Sequence, residues 1–386
     1  MKKREISVAL EGQQPRGHVA DLIDHPPPGV CYSSKDTPTD VRFGKASLHN
    51  RSKLSVIGRS TIVNKLGLFL PVIKFYSSSI DLVLALNRFY IGNRPSISWL
   101  ERPAAPLHYE PSKLDNILVR KFVRRLIKQP KRNVVCWSNA CAKEFAELYR
   151  IENIGDIVVV PPMVVPPVEY LKETRVIERQ NEDVIKFLFV GSLFHIKGGK
   201  ETLIAFEQLQ KNYSSVRLTI VSEPDSVGSK WMSRIEGNQS VKFMHSTFSR
   251  DEMWKVYDTH QVLIHPTKYD SYGLVVLEAM RMGLPVVTCG IYCIPEIIID
   301  GCGIILTHPE VSDGMIGYRI PIEKAEGQPL NILVNNLVEV MESFLNKGNR
   351  ISMAKNAFRR GETHFGEVNL NNKWLNIFLE LLRVIN

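Results

Sequence analysis

The run His265-Pro266-Thr267-Lys268-Tyr269-Asp270-Ser271-Tyr272-Gly273-Leu274-Val275-Val276-Leu277-Glu278-Ala279-Met280 decides how this chain is read. A strand over 261–265 leads into a loop that carries one carboxylate. Gly273 punctuates the loop, and a helix over 275–282 carries a second carboxylate. Glu278 lies one to two turns into that helix, with seven residues between it and Asp270. Both acids can therefore face one pocket at the C-terminal edge of a sheet, where α/β folds bind their ligands. The amides of Gly273, Leu274 and Val275 open the helix without intrahelical partners, which suits a phosphate. Val275, Val276, Leu277, Ala279 and Met280 surround Glu278, a setting that is costly for a carboxylate without a partner. The paired hydroxyls of a ribose or hexose would supply one.

A second segment lies upstream: Val190-Gly191-Ser192-Leu193-Phe194-His195-Ile196-Lys197-Gly198-Gly199-Lys200. It follows a strand over 184–190 and opens a helix over 198–209. A glycine-bearing turn there brings backbone N–H groups and a helix N-terminus to an anion, and Lys197 adds a full charge. The spacing fits neither G-x-x-x-x-G-K-[ST] nor G-x-G-x-x-G. Taken alone, a surface lysine on an ordinary strand-to-helix turn reads as well.

Working outward, short apolar strands alternate with helices along the whole chain. Strands fall at 5–10, 81–86, 96–100, 133–137 and 157–160, then at 184–190, 216–221, 261–265, 285–288 and 303–306. Helices are expected at 55–76 with a break at Pro71, at 140–149, and finally at 330–346, 350–358 and 368–384. Continuous apolar strands alternating with helices indicate parallel sheets covered on both faces. Pro161, Pro162, Pro166 and Pro167, followed by a polar stretch, mark a boundary. The expected domains are 1–165, a linker over 166–183, a second domain over 184–364, and a C-terminal helix over 365–386 that returns to the first domain.

The 386 residues suit two such domains, and 44% hydrophobic with 23% charged residues excludes a largely disordered chain. No apolar run reaches the ~18 residues of a transmembrane helix, and no secretory signal is read at the N-terminus. The chain is expected in the cytoplasm. The six cysteines show no C-x-x-C pair or His cluster, so free thiols are expected and no metal site. Residues 1–170 carry 25 Lys/Arg against 15 Asp/Glu, net +10, whereas the remainder is net −1. Lys113 to Arg132 holds eight of these cations against Asp115 alone. With Leu114, Ile117, Leu118, Phe122, Leu126 and Ile127 as one stripe, it reads as a basic amphipathic helix. Such a helix either lies on an anionic membrane, peripheral at the inner face, or packs its stripe on its own domain. No helix-turn-helix, zinc-finger or RNP-type signature accompanies the charge, so nucleic acid is not expected as a partner.

These motifs resemble those of the large retaining family 4 of GT-B glycosyltransferases, the glycosyl transferases of group 1. The family pattern V-G-R-L-x-x-x-K-G matches 190–198, and P-S-x-x-E-x-F-G-L-V-x-L-E-A-M matches 266–280. A P-E-I-x-x-D-G-x-x-G-x-L stretch matches Pro295 to Leu306. Order and spacing agree over about 180–310; the first half matches more loosely, at Ser138-Asn139-Ala140 and at Ile157 to Pro162. The resemblance implies two doubly wound Rossmann-like domains facing a cleft. It implies transfer of a sugar from a nucleotide-diphosphate sugar to a saccharide or lipid-linked acceptor, with retention, in cell-surface polysaccharide or glycolipid assembly. Lys197 would neutralise the diphosphate, Glu278 would bind the ribose, and Asp270 would contact the donor sugar. Gly12, Gly191, Ser192 and the segment Ser271, Tyr272, Gly273, Leu274 and Val275 would line the donor, with no cofactor and no metal. Glu101 and Arg102, after the 96–100 strand, would face the acceptor or form a loop ion pair; His18 and His108 read as surface residues.

Three positions depart from the pattern. Ser192 stands where the family has Arg, Asp270 where it has Glu, and the N-terminal Gly-Gly loop is represented by Gly12 and Gly17 at most. His195 is a candidate to replace part of the missing Arg. Ser192 and the missing Gly-Gly loop favour a rival reading, a non-catalytic GT-B-like subunit acting as partner or scaffold, whereas Lys197, Asp270 and Glu278 together argue against it. A sugar-nucleotide epimerase is a third.

Overall fold

The computed structural model describes residues 5–12, 17–33, 69, 71–299, 301–307 and 330–383. The chain divides into two compact units, one comprising residues up to 163 together with Glu367 onward, the other built on Val164–Gly366.

The first unit carries β1 (Ile6–Gly12), β2 (Val30–Ser33), β3 (Val72–Ile73), β4 (Leu82–Leu86), β5 (Tyr90–Ile91), β6 (Ser96–Leu100), β7 (Arg132–Cys136) and β8 (Val158–Val159). Six of them form a parallel sheet in the order β2-β1-β4-β6-β7-β8, and β3 pairs with β5 as a separate ribbon. Every residue of β4 and of β6 is buried, which is why LVLAL and SISWL read as continuous rather than alternating runs. The helices are α1 (Gly17–Asp24), α2 (Ile117–Ile127) and α3 (Asn139–Tyr149). The Asn116 side chain caps α2 at Leu118 N and Val119 N, and Ser138 caps α3 at Cys141 N.

The second unit holds β9 (Ile185–Val190), β10 (Val216–Ser222), β11 (Val241–His245), β12 (Val262–His265), β13 (Val286–Cys289) and β14 (Gly303–Leu306). They pair in parallel in the order β11-β10-β9-β12-β13-β14. Around them run α4 (Glu173–Gln180), α5 (Gly199–Leu209), α6 (Pro224–Val227), α7 (Ser229–Glu236), α8 (Arg250–Asp258), α9 (Leu274–Arg281), α10 (Ile294–Ile297), α11 (Asn331–Ser343) and α12 (Lys347–Phe365). The strand order reverses between β9 and β12. Such a switch point opens a crevice at the C-terminal ends of the two strands. In the first unit the reversal falls between β1 and β4.

The last helix, α13 (Glu367–Arg383), is part of the first unit. Trp374 meets Trp99 edge-on, with ring centroids 5.2 Å apart, and Asn371 Nδ2 donates to the His25 carbonyl at 3.1 Å. Leu370 and Phe378 are fully buried on the same face.

Several expectations are corrected. The helical reading of 55–76 fails at its described end, where Val72 and Ile73 form β3; residues 55–68 lie outside the described part. The basic helix is confined to 117–127. Lys113 is buried ahead of it, and Arg132 sits in β7, where its guanidinium bonds to the Gly92 and Arg94 carbonyls and Ser96 Oγ. Its apolar residues do not form one stripe: Val119, Val123 and Leu126 are buried, while Ile117 and Leu118 are exposed. The polar stretch read as a linker contains α4, whose Val176 is buried against Phe358 and Ala354 of α12. Charge hid this helix, because Arg179 is buried and bonds to the Met282 and Gly283 carbonyls. Cys31 is exposed; the other five cysteines are buried, and all six are free thiols. No helix among the described residues is long and apolar enough to cross a membrane.

Candidate functional site

The crevice of the second unit is built at the ends of β9 and β12. The register sets Leu263 opposite Leu188 and so carries His265 to the level of Val190. Beyond Val190 the chain turns through Gly191 to Lys197, whose stem passes directly over the glycine. A Cβ on Gly191 would stand 2.8 Å from Lys197 Cβ, so a side chain here would push the lysine away. Lys197 Nζ donates to Asp270 Oδ2 at 2.7 Å and to the Tyr269 carbonyl at 2.8 Å. His265 Nε2 lies 3.5 Å from the same Asp270 oxygen. The other oxygen, Oδ1, accepts from Tyr272 N at 3.3 Å and from Gly273 N at 3.0 Å. Asp270 thus fastens the entry of α9 to the lysine loop.

The electrostatics follow from that arrangement. Burial works against the Asp270 charge, but Lys197 and His265 outweigh it and hold the carboxyl well below the usual carboxylate range. Burial lowers the His265 pKa, with Lys197 acting in the same sense and Asp270 opposing, so the imidazole is neutral near pH 7. Glu278 is 6% exposed and accepts a hydrogen bond from Tyr257 Oη at 2.9 Å. Burial and then the Glu278 charge raise the Tyr257 phenol well above its ordinary value, which keeps it a donor.

Lys197, Asp270, Gly191 and the Gly273 turn are therefore brought together, and Glu278 lies inward along α9. The expected phosphate cradle over Ser271 to Val275 is narrower than the sequence suggested. The Tyr272 and Gly273 amides are occupied by Asp270, and the Tyr272 ring is buried. The Leu274 and Val275 amides, first on α9, have no intrahelical partner to donate to. Ser192 is exposed, and the His195 ring packs edge-on against Phe194.

Two further elements were not read from the sequence. Lys268 Nζ is 2.8 Å from Glu201 Oε1, and both side chains are buried. The Lys268 amide also donates to the Ile196 carbonyl at 2.9 Å, so a buried ion pair and a main-chain bond tie the two loops together. His265 is the other. An apolar strand ending in a histidine five residues before an acid was the available signal.

The remaining site expectations fall in the first unit. Gly12 ends β1 with φ 143°, and a Cβ there would stand 2.4 Å from the Leu86 carbonyl oxygen. Close packing of β1 on β4 is its local role. Glu101 and Arg102 follow β6 but are 2% and 1% exposed, so neither presents its side chain outward as expected. The Tyr109 hydroxyl donates to Glu101 Oε1 at 2.5 Å, and the Glu101 amide donates to Asn87 Oδ1. His18 is buried beside Trp99 and Trp137 rather than at the surface. His108 Nδ1 lies 2.8 Å from Arg88 Nη1.

Residues 172–315, which contain all of the second-unit site, match the family described as glycosyl transferases group 1. That part of the chain belongs to this family. An uncharacterized glycosyltransferase of Haemophilus influenzae is 25% identical over 231 residues, 59% of this chain and 59% of the relative. The lipopolysaccharide glucosyltransferase WaaG of Escherichia coli is 26% identical over 159 residues, 39% of this chain and 42% of WaaG. The alignments thus span about two fifths to three fifths of these relatives' lengths. Among solved structures, Anabaena HepE in complex with UDP superimposes with a TM-score of 0.60 at 16% identity, over 97% of this chain and all of HepE. The fold is GT-B, and the two six-stranded parallel sheets are its two Rossmann-like halves.

Proposed function

We propose that the chain is a glycosyltransferase that moves a sugar from a nucleotide-diphosphate sugar to a saccharide or lipid-linked acceptor. The observation that carries this reading is the meeting of Lys197, Asp270 and the N-terminus of α9 at the switch point of the second unit. In this reading Lys197 and the Leu274 and Val275 amides take the diphosphate and stabilise the charge that grows on it as the glycosidic bond breaks. Glu278, held by Tyr257, accepts the paired hydroxyls of the ribose. Asp270 positions the lysine and the α9 turn. In this reading Asp270 also contacts the donor sugar. The acceptor hydroxyl attacks on the face the nucleotide leaves, giving retention, without a metal or a cofactor. The product belongs to cell-surface polysaccharide or glycolipid assembly, in keeping with the lipopolysaccharide role in the name of WaaG.

HepE was solved with UDP, so uridine nucleotides head the panel of donors to test. Stabilisation of the wild-type chain by one nucleotide family, lost in Lys197→Met, supports the reading. A ligand at about 100 times its dissociation constant stabilises by about 2.7 kcal/mol. No shift with any nucleotide overturns it. Ser192, exposed where the family has Arg, favours the rival reading of a non-catalytic partner subunit. Nucleotide binding without donor turnover in the presence of acceptor extracts would decide for that rival.

A further inference from the structure

We infer that the cavity between α8 and the outer edge of the second sheet binds a small amphipathic anion, its apolar body inside and its single charged head at the rim. β11 ends the sheet on this side and pairs with β10 alone. The register sets Lys242 opposite Thr219, so Lys242 and Met244, two residues on, share the face that Thr219 presents. These strands, the Phe248 loop and α8 enclose about 270 Å³. At ~30 Å³ for each water-sized unit, that volume takes roughly nine heavy atoms, which suits a chain of about eight carbons.

The polar groups inside fix which end of the ligand enters. Met244, Phe248 and Val256 supply the apolar wall, and His260 and Thr219, both buried, add polar atoms. His260 Nδ1 lies 2.6 Å from the Val256 carbonyl, which can only accept, so Nδ1 carries the ring proton. Nε2 therefore accepts from the Thr219 hydroxyl at 2.8 Å. Burial, and after it the charges of Lys186, Arg179 and Lys242, keep the ring neutral. Both protons are thus spent within the protein. Neither group has one to give an anion, so a charged head is not accepted here and an apolar body is.

The rim fixes the charge of the head. Lys242 from β11 and Lys255 from α8 both line the opening, are exposed, and form no ion pair among the described residues. Glu252 is the acid of the lining, and its Oε2 is held by Ser249 N and Ser249 Oγ, each at 2.7 Å, in the capping box of α8. A neutral apolar molecule would fill the wall and leave both lysines unused. A polyanion would engage the lysines but leave the apolar wall uncovered. A monoanion with a short apolar body, such as a medium-chain carboxylate, meets both features. None of these residues belongs to the donor site of the second unit, so this inference stands apart from the proposed activity.

The test is isothermal titration of the full chain with octanoate, 1-octanol and acetate at one ionic strength. Octanoate is expected to bind with a dissociation constant of about 1 mM or below, octanol more weakly, and acetate not measurably. Added salt should weaken octanoate and not octanol. Lys242→Ala/Lys255→Ala alters two exposed side chains and should weaken octanoate about three- to tenfold while leaving octanol unchanged. Met244→Trp fills the wall and should abolish binding of both. An unchanged melting temperature shows that the fold is kept, and the lysine variant carries the test if the tryptophan variant does not fold. The inference is overturned if octanoate does not bind, if octanol or acetate binds as tightly as octanoate, or if the lysine variant binds octanoate like the wild type. Octanoate binding that a folded Met244→Trp leaves intact would place the ligand elsewhere on the chain and overturn it as well.

Discussion

The Lys197–Asp270 pair can be taken apart in a way that separates holding the loop from holding the ligand. The two side chains are 17% and 15% exposed, so solvent screens them only in part. A hydrogen bond between charged groups in that setting contributes about 1.5–3 kcal/mol. A double-mutant cycle of Lys197→Met and Asp270→Asn, read by urea unfolding at pH 7, should therefore show a coupling of about 2 kcal/mol. The singles should differ in their effect on the ligand. Lys197→Met removes the cation that a diphosphate would take, and its nucleoside-diphosphate dissociation constant should rise about ten- to hundredfold. Asp270→Asn keeps an acceptor for the Tyr272 and Gly273 amides and releases Lys197 from its partner. Affinity should then change less than about threefold while sugar transfer is lost. Isothermal titration and an initial-rate assay read the two effects. The pH dependence has a defined sign. A depressed Asp270 pKa contributes stability above about pH 4 that is lost as pH falls through the folded-state value. A coupling below about 0.5 kcal/mol would refute the argument, since exposed pairs show as little. So would equal losses of affinity in the two single variants.

Three further outcomes follow from other contacts. The His260 pKa is lowered to about 4, chiefly by burial, which outweighs the opposing hydrogen bond to the Val256 carbonyl. The unfolded chain binds this proton first, so stability should fall by about 3 kcal/mol between pH 6.5 and 4, and less steeply in His260→Gln; urea unfolding against pH checks it. Lys268→Met leaves the fully buried Glu201 unpaired and should cost about 3–5 kcal/mol, with much of it recovered in Lys268→Met/Glu201→Leu; chemical denaturation measures both. Ser192→Arg restores a cation beside the Gly191 turn and should tighten nucleoside-diphosphate binding about tenfold by calorimetry. Unchanged affinity would show that the loop aims this position away from the diphosphate.

How much was legible in the sequence depended on what held each element in place. The central strands announced themselves, since β4 and β6 are covered on both faces and can carry only apolar or small residues. The α9 entry was equally legible, because a glycine, a helix start and two acids have to fall at fixed offsets to share a crevice. What the sequence hid were residues whose polar groups are satisfied from far away. Glu201 and Lys268 look like surface charges until the fold pairs them across 67 positions. Arg179 disguised α4 as a linker for the same reason, since its carbonyl partners lie more than a hundred residues downstream. In α2 the sequence showed amphipathicity but not its phase. Val119 and Val123 supply the inner face, whereas the larger Ile117, Leu118 and Phe122 face outward. Glu101 and Arg102 were placed correctly after their strand, but strand position does not tell whether a side chain turns outward or back toward Tyr109.

The return of α13 to the first unit sets an order of events on the ribosome. Everything needed for the second unit has been translated by Gly366, while the first unit still lacks the helix that brings Trp374 to Trp99. The half that begins first is thus completed last, and must wait with the edge of a tryptophan uncovered. A stop codon a few residues before Trp374 would spare every residue of the donor site, yet yield a chain whose opening half is the part most exposed to proteolysis.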